Sequence, residues 1–138
     1  KQFKSTKSSA RIQAEADFQQ RAAEAGIAPE VMHVDLDKKR IFMEPMDVRI
    51  VDVLKRGHAQ FARDLNRIMR TLDDIGILHN DGNALNLMLD SNDCLKIIDF
   101  GLAKEISDKV RKKWQGEPNV KVTLHMMRKG LRKYKINV

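Results

Sequence analysis

The sequence contains little cysteine and no long apolar run. Cys94 is the only cysteine among the 138 residues, which excludes an internal disulfide framework. The four histidines show no paired metal-ligand spacing with it, which argues against a structural zinc site. No segment approaches the roughly 20 apolar residues of a membrane-spanning helix, and the Lys- and Ser-rich start lacks the apolar segment of a secretory signal. These absences predict a reducing, cytoplasmic location.

Length and composition set the number of domains. A chain of 138 residues with 42% hydrophobic and 33% charged residues is long enough for one compact core and too short for two ordinary domains. The chain begins with Lys1 and not with Met, so we expect a fragment or a chain trimmed at its N-terminus. We predict a single domain over residues 1–138. Cys94, in an apolar predicted strand, is expected to be buried and inert.

The positive charge is concentrated near the C-terminal end. Between Lys109 and Lys135 there are ten Lys or Arg residues and one acid, Glu117. The net charge of this segment is +9 and that of the remainder of the chain is −2, which together give the net charge of +7. A positive helical face of this kind can bind nucleic acid, an anionic membrane or an acidic partner. The alternative is a face that is merely solvated.

Apolar periodicity and turn residues predict an alternation of helices and short strands. A helix capped by Ser8 or Ser9 and ended by Gly26 precedes a hairpin, and a second amphipathic helix from Phe61 is ended by Gly76. Two more strands flank a turn at residues 91–93, and the rest is helical with a break near residues 116–118. The predicted strands are Val31 to Val34, Arg40 to Met43, Leu87 to Leu89 and Leu95 to Ile98, and the apolar stripe of the last helix is Leu124, Met127, Leu131 and Tyr134.

The most informative pattern lies between residues 79 and 101. His79-Asn80-Asp81 is followed by Asn86, five residues after Asp81, and by Asp99-Phe100-Gly101, which starts eighteen residues after Asp81. Six residue identities at fixed offsets are hard to obtain by accident. The alternative is that Asp81 and Asn86 are turn residues and Asp99 ends a strand, since Asp and Asn favour turns.

This pattern resembles the H-x-D-x-x-x-x-N and D-F-G motifs of protein kinases. The order of predicted elements over nearly the whole chain is similar to that family as well. The resemblance implies an α+β, protein kinase-like fold with a remnant of the N-lobe at residues 1–43, a hinge at 44–48 and a reduced C-lobe at 49–138. The N-lobe remnant would hold helix C and edge strands, and the basic segment would form the C-terminal helix of the C-lobe.

The resemblance also implies ATP and Mg²⁺ as cofactors and a role for each matching residue. Asp81 matches the catalytic base, and Asn86 and Asp99 match the Mg²⁺ ligands. His79 and Phe100 match the packing residues of the two loops. The residues implied for nucleotide binding are Lys1, Glu15, Met43, Glu44, Met46 and Met88.

Within that set, each nucleotide-binding residue is implied by its position. Glu15 resembles the partner of the phosphate-binding lysine, which would be Lys1, with Lys4 as the competing candidate. Met43 would guard the back of the adenine pocket, residues 44–46 would form the hinge, and Met88 would lie under the adenine ring. The alternatives are a solvated surface charge for Glu15 and ordinary core packing for the methionines.

The departures from the kinase pattern narrow the resemblance. No G-x-G-x-x-G is present among the seven glycines, so either the N-terminal strands were removed or the protein does without this loop. Asn80 replaces the arginine that pairs with a phosphorylated activation loop, and Asn83 replaces the lysine found in many Ser/Thr kinases. No A-P-E follows Gly101. The sequence is therefore similar to reduced kinases, such as the small kinase of the KEOPS complex and compact viral or bacterial-effector kinases. If the protein is a viral or effector kinase, the expected location is the cytoplasm of a host cell.

These observations lead to three functional hypotheses. The first is an atypical Ser/Thr protein kinase that transfers the γ-phosphate of ATP to a hydroxyl of a protein substrate. The second is a non-catalytic scaffold or nucleotide-binding module of kinase fold, whose basic segment at residues 109–135 binds nucleic acid or an acidic protein. The third is a small-molecule kinase, because the H-x-D loop alone does not separate protein from metabolite acceptors.

Overall fold

The computed structural model describes residues 1–50 and 58–138. Four helices lie within these ranges, with a 3₁₀ turn and a π-helical turn: α1 (Ser9–Glu24), α2 (His58–Ile75), the 3₁₀ turn (Ala84–Asn86), α3 (Asp108–Lys113), the π turn (Asn119–Thr123) and α4 (Leu124–Arg132). The strands are β1 (Val31–Asp35), β2 (Arg40–Met43), β3 (Val48–Arg49), β4 (Ile77–Leu78), β5 (Leu87–Leu89), β6 (Leu95–Ile97) and β7 (Lys104–Glu105). The predicted α+β class is confirmed, while residues 51–57 of the predicted C-lobe lie outside the described residues.

Helix α1 begins and ends where the sequence indicates. The Ser8 side chain accepts a hydrogen bond from the backbone N–H of Arg11 and satisfies one of the free donors of the first turn. Gly26 follows the helix with φ +82°, a conformation that glycine adopts at little cost. The inner face of the helix is unusual because a carboxylate and an amide, Glu15 and Gln19, are buried among its apolar residues.

The strands form three small antiparallel sheets. Strands β1 and β2 make the predicted hairpin, in which Val34 lies opposite Ile41. The second sheet has the order β3-β5-β6, and the third pairs β4 with β7. The pairing of β5 with β6 confirms the second predicted strand pair and places Asn86 just before one strand and Asp99 just after the other. The two-residue strands β3, β4 and β7 were not predicted.

Helix α2 is the centre of the large apolar cluster. On the apolar face of this helix, Leu65, Ile68 and Leu72 are at most 1% exposed, and Gly76, with φ +80°, follows its last turn. Residues from β4, β5, β6 and α4 pack against it, so that this cluster includes at least twenty buried residues. A second, small cluster consists of Ile12, Ala16 and Ile41, between α1 and the hairpin.

Polar contacts join α1 to the large cluster. Arg21 donates to the carbonyl oxygen of Ile75 at 2.8 Å and forms an ion pair with Glu105. The backbone N–H of Ile97 in β6 donates to the carbonyl oxygen of Ile27 at 2.9 Å. The contacts of Arg21 tie α1 to the end of α2 and to β7, and the bond from Ile97 ties the chain after α1 to β6, the strand before Asp99.

Two predictions for single residues were wrong. Cys94 is exposed, because it precedes β6 in the turn and does not lie within the strand. Tyr134 is 50% exposed, because α4 ends at Arg132 and the apolar stripe does not continue past it. The predicted break near residues 116–118 is confirmed, and basic residues on either side of it lie on two helices, α3 and α4. No described helix is both long and apolar enough to cross a membrane.

Candidate active site

His79 begins the loop that carries Asp81, and it is fully buried. Its ring meets that of Phe100 edge to face, with the centroids 4.9 Å apart, and its Nε2 lies 2.9 Å from the carbonyl oxygen of Ile98. Burial lowers the pKa of His79, although the Ile98 carbonyl and the carboxylate of Asp81 act in the opposite direction. The ring is therefore neutral at pH 7, and it joins the Asp81 loop to the Asp99 loop by packing.

A buried polar network fixes this loop from behind. Asn119 accepts a hydrogen bond from the backbone N–H of His79 at 3.1 Å and donates to the carbonyl oxygen of Ile77 at 2.7 Å. Asp73 accepts from the side chain and backbone N–H of Asn119, both at 2.8 Å, and from the backbone N–H of Val120 at 3.2 Å. Burial raises the pKa of Asp73, although these hydrogen bonds act to lower it. The network links α2, the π turn and the start of the Asp81 loop.

The sequence analysis did not identify Asp73 and Asn119. A signal for Asp73 was present, because it follows the buried Met69 by four residues and therefore lies on the apolar face of α2. A carboxylate at such a position needs a partner, since an unpaired buried charge is very costly. For Asn119 we find no comparable signal, because its position before the second helical piece is typical of an ordinary capping residue.

Asp81 is half-buried, and its carboxylate lies at the edge of a groove. Its Oδ1 accepts a hydrogen bond from the backbone N–H of Asn83 at 3.2 Å. The side chain of Asn83 in turn accepts from the backbone N–H of Leu85 and caps the 3₁₀ turn. The turn thus presents Asp81 to solvent on one side and leads directly to Asn86.

Asn86 and Asp99 are joined through the backbone. The carbonyl oxygen of Asn86 accepts from the N–H of Ile98, the residue before Asp99, at 2.8 Å. Asn86 is 7% exposed, and its Nδ2 has no hydrogen-bond partner within the described part of the chain. An unpaired buried amide of this kind costs about 1–3 kcal/mol. Asp99 has φ +62°, a strained conformation for a residue with a Cβ, and such strain is often found at functional sites.

Lys1, Glu15 and Asp99 form one ion cluster. The Nζ of Lys1 lies 2.8 Å from Oε2 of Glu15 and 3.0 Å from Oδ1 of Asp99. Burial alone would lower the pKa of Lys1, but the two carboxylates outweigh it and raise that pKa. Burial would likewise raise the pKa of Asp99, but the hydrogen bond and charge of Lys1 hold it below its ordinary value. Of the two lysines considered from the sequence, Lys1 makes this contact.

The burial of Glu15 explains part of the cluster. Glu15 is only 3% exposed, so the alternative of a solvated surface charge is wrong. A Cβ on Gly101 would lie 2.9 Å from Oε1 of Glu15 and 3.1 Å from Oδ1 of Asp99. Glycine at position 101 is therefore what allows the two carboxylates to approach each other across Lys1.

The residues predicted to hold the adenine lie in different sheets. Met43 ends β2, and its sulfur lies 3.5 Å from Nε2 of Gln19, whereas Met88 lies in β5 opposite Arg49. Glu44 donates its backbone N–H to the carbonyl oxygen of Glu30, and Met46 lies in the connector between the two sheets. Residues 43–49 thus connect all four of these residues, since Met88 pairs with Arg49. Within the described residues, no hydrogen bond or ion pair links them to Lys1, Glu15 or Asp99.

The donor set fits a magnesium ion that is shared with a nucleotide. No group of three or more His, Cys, Asp or Glu side chains suited to a metal occurs in the described ranges. Mg²⁺, however, is usually held by one or two protein oxygen ligands together with substrate phosphates and water. Asp99 supplies a carboxylate, and Asn86 supplies the oxygen of its side-chain amide, whereas the Nδ2 of that amide, which has no partner within the described residues, is a donor and does not bind a cation. These two residues are suitable ligands for the ion only in the presence of phosphate oxygens.

Comparison with known proteins shows the family of the chain. The family model for protein tyrosine and serine/threonine kinases matches residues 30–127, which is more than half of the chain. A probable bifunctional tRNA threonylcarbamoyladenosine biosynthesis protein of Methanococcus maripaludis strain C5 is 34% identical over 92 residues, which covers 65% of this chain and 16% of that protein.

Two named kinases are similar as well. The tyrosine-protein kinase hopscotch of Drosophila melanogaster is 30% identical over 113 residues, covering 67% of this chain and 9% of hopscotch. The serine/threonine-protein kinase NLK2 of Xenopus laevis is 35% identical over 78 residues, covering 56% of this chain and 16% of NLK2. The chain thus spans about a sixth or less of the length of these relatives. The match of the family model over residues 30–127, which contains Asp81, Asn86 and Asp99, shows that the chain belongs to the protein tyrosine and serine/threonine kinase family.

Proposed function

We propose that this protein is an ATP- and Mg²⁺-dependent phosphotransferase that moves the γ-phosphoryl group of ATP to a Ser or Thr hydroxyl of a protein. The observation that carries the proposal is the contact of Lys1 with both Glu15 and Asp99, at 2.8 and 3.0 Å. These residues are far apart in the sequence, and the fold brings the cation of Lys1 to the Asp99 loop, which packs on the Asp81 loop through Phe100 and His79. A cation held at this position can bind phosphate oxygens.

Asp81 acts on the acceptor. It orients the hydroxyl and accepts its proton while the oxygen–phosphorus bond forms and the bond between the γ-phosphorus and the leaving oxygen of ADP breaks. The hydrogen bond from the backbone of Asn83 holds the carboxylate in position. The buried contacts of His79 hold the loop, so that little reorganisation is needed during transfer.

Lys1, Glu15, Asn86 and Asp99 act on the nucleotide. Lys1 binds phosphate oxygens and Glu15 holds the lysine in place. Asn86 and Asp99 would hold Mg²⁺, which neutralises charge on the phosphates when bound. On the adenine side, Met43 and Met88 would pack against the ring, and the backbone of residues 44–46 would bind its polar edge.

Thermal unfolding with and without Mg²⁺-ATP tests the nucleotide site. Ligand at 100 times its dissociation constant adds about 2.7 kcal/mol, which corresponds to roughly 5–10 °C in a domain of this size. We expect the shift to require Mg²⁺ and to be lost in Asp99→Asn. The matched control is Asp37→Asn, which changes an exposed aspartate in the hairpin turn. A shift that survives in Asp99→Asn would show that the metal assignment is wrong.

Phosphate transfer from labelled ATP to a mixture of Ser, Thr and Tyr peptides tests the reaction. Asp99→Asn should reduce transfer by far more than tenfold, since tenfold is equivalent to only about 1.4 kcal/mol of the barrier. Asp81→Asn should abolish transfer and preserve the Mg²⁺-ATP shift. A nucleotide-dependent shift without any transfer would favour the non-catalytic module, and transfer to small hydroxyl compounds alone would favour the small-molecule kinase.

A further inference from the structure

A groove runs from the catalytic loop to the last helix. It has a volume of about 650 Å³, and Asp81 lies at one side of it. Met126, Lys129, Lys133 and Tyr134 lie at the other side, and all four are exposed. Because Asp81 is the proposed base and lines this groove, the groove is a site in which an acceptor can place a hydroxyl beside it.

The distance between the lysines and the catalytic loop is fixed by two close glycine contacts. A Cβ on Gly82 would collide with the Cβ of Met126, and one on Gly130 would lie 3.5 Å from the Cβ of Ala84. Helix α4 therefore packs directly on residues 82–84. Leu131 and Met127 anchor the other face of the helix in the large cluster. Lys129 and Lys133 are thus held at a set position relative to Asp81.

Lys129 and Lys133 form no ion pair with any residue in the ranges that the structure describes. They lie four residues apart, Lys129 in α4 and Lys133 at its C-cap in helical conformation, and so lie on the same side of the helix. Two unpaired ammonium groups beside a proposed acceptor site favour a ligand with carboxylates a few residues from its hydroxyl. We propose that the groove binds an acidic peptide segment, so that the acceptor Ser or Thr is selected by neighbouring Asp or Glu residues.

This inference rests on the proposed function, since it takes Asp81 as the residue beside the acceptor hydroxyl. A nucleic acid fits the groove less well for two reasons. Its continuous phosphate backbone would bring negative charge against the carboxylate of Asp81, and the groove offers a single aromatic side chain, Tyr134, for stacking. The remaining basic residues on α3 do not line the groove and provide no continuous track for phosphates.

Binding of labelled peptides measures the preference without requiring catalysis. Short fluorescent peptides with a central Ser carry three Glu or three Ala residues on its N-terminal or its C-terminal side, and anisotropy is recorded at physiological salt. We expect one Glu peptide to bind the 138-residue chain at least tenfold more tightly than its Ala counterpart. K129E/K133E should reduce this preference to within twofold.

The matched control is K112E/K113E, which makes the same change of net charge on α3. It should keep the full preference, and equal losses in both double variants would overturn the proposal by showing an effect of net charge alone. K129Q/K133Q, which removes charge without adding acids, should lose the preference too. Circular dichroism of all variants confirms that each is folded, as expected for exposed lysines.

The remaining outcomes separate this inference from the proposed function. A Glu preference in binding without phosphate transfer would support the groove and overturn the phosphotransferase. Phosphate transfer with equal use of Glu and Ala peptides would support the phosphotransferase and overturn the preference of the groove for acidic peptides. A single-stranded RNA that binds more tightly than the Glu peptide and loses affinity in K129E/K133E would overturn the choice of an acidic peptide.

Discussion

The two sides of the candidate site are attached to very different apolar clusters. The Asp81 loop and β5 belong to the large cluster, which includes at least twenty buried residues around α2. Lys1 is held by backbone hydrogen bonds to Ile41, which belongs to a small cluster with Ile12 and Ala16. Apolar burial dominates stability. We therefore expect the acceptor side to stay rigid up to global unfolding, while the phosphate-binding side opens locally at a lower free energy.

The largest effect should come from the large cluster. Leu72→Ala removes a fully buried side chain from the last turn of α2, and the dense surroundings leave a cavity that cannot collapse. We expect the free energy of unfolding to fall by about 4 kcal/mol, within the range known for such changes. Urea unfolding followed by circular dichroism measures it. A loss below 1 kcal/mol would contradict the view that α2 carries the fold.

The next effect concerns the polar network behind His79. Asp73→Ala leaves the backbone N–H groups of Asn119 and Val120 and the side chain of Asn119 without their acceptor. We expect a loss of about 3 kcal/mol, since each buried donor without a partner costs about 1–3 kcal/mol. Asp74→Ala, one position further and exposed, is the control and should change stability by less than about 0.5 kcal/mol. Equal effects of the two changes would show that the network does not hold the loop.

A smaller effect on stability is expected in the small cluster. Ile41→Ala should cost about 2 kcal/mol, the low end for such a change, because its surroundings are partly exposed and can close over the gap. The backbone of Ile41 accepts from and donates to that of Lys1, so the Mg²⁺-ATP shift should fall to less than half of its wild-type value.

The control for this change keeps the apolar contact. Ile41→Val should cost about 1 kcal/mol and preserve the nucleotide shift. Leu72→Ala, compared at a temperature where it is still folded, should also preserve the shift. If Leu72→Ala and Ile41→Ala reduced nucleotide binding equally, the phosphate-binding side would not depend on the small cluster more than on the large one.

Local sequence patterns predicted the elements of both regions well. The cap at Ser8, the ending of α2 at Gly76 and the pairing of residues 87–89 with 95–97 depend on neighbouring residues, and the structure confirms them. The motif spacing of Asp81, Asn86 and Asp99 predicted the family, which the comparison shows. Their individual roles stay predictions.

Contacts between distant segments were beyond the reach of such patterns. Nothing in a local window requires Lys1 to meet Asp99, or Asn119 to accept from His79, because those contacts depend on how α1, α2 and the π turn pack together. Exposure at element ends is similarly decided by packing. The wrong predictions for Cys94 and Tyr134 both concern residues one or two positions outside a helix or strand.

The smallest effect concerns the loss of stability from the ion cluster at low pH. Because Lys1 lowers the pKa of Asp99 in the folded protein, the ionised carboxylate stabilises the fold above its ordinary pKa of 3.8, and this contribution is lost as the pH falls through the lower folded-state pKa. We expect less than about 1 kcal/mol, since both side chains are partly exposed and screened by water.

The measurement is the difference in unfolding free energy between the wild type and Asp99→Asn from pH 6 to pH 2. This difference should shrink below pH 3.8, and it should be nearly independent of pH when Lys1→Met is the background. An undiminished difference at pH 2 would mean that Asp99 contributes through backbone geometry and not through its charge. That result would leave Glu15 as the anchor of Lys1, and the phosphate-binding side would then depend on α1 and the small cluster alone.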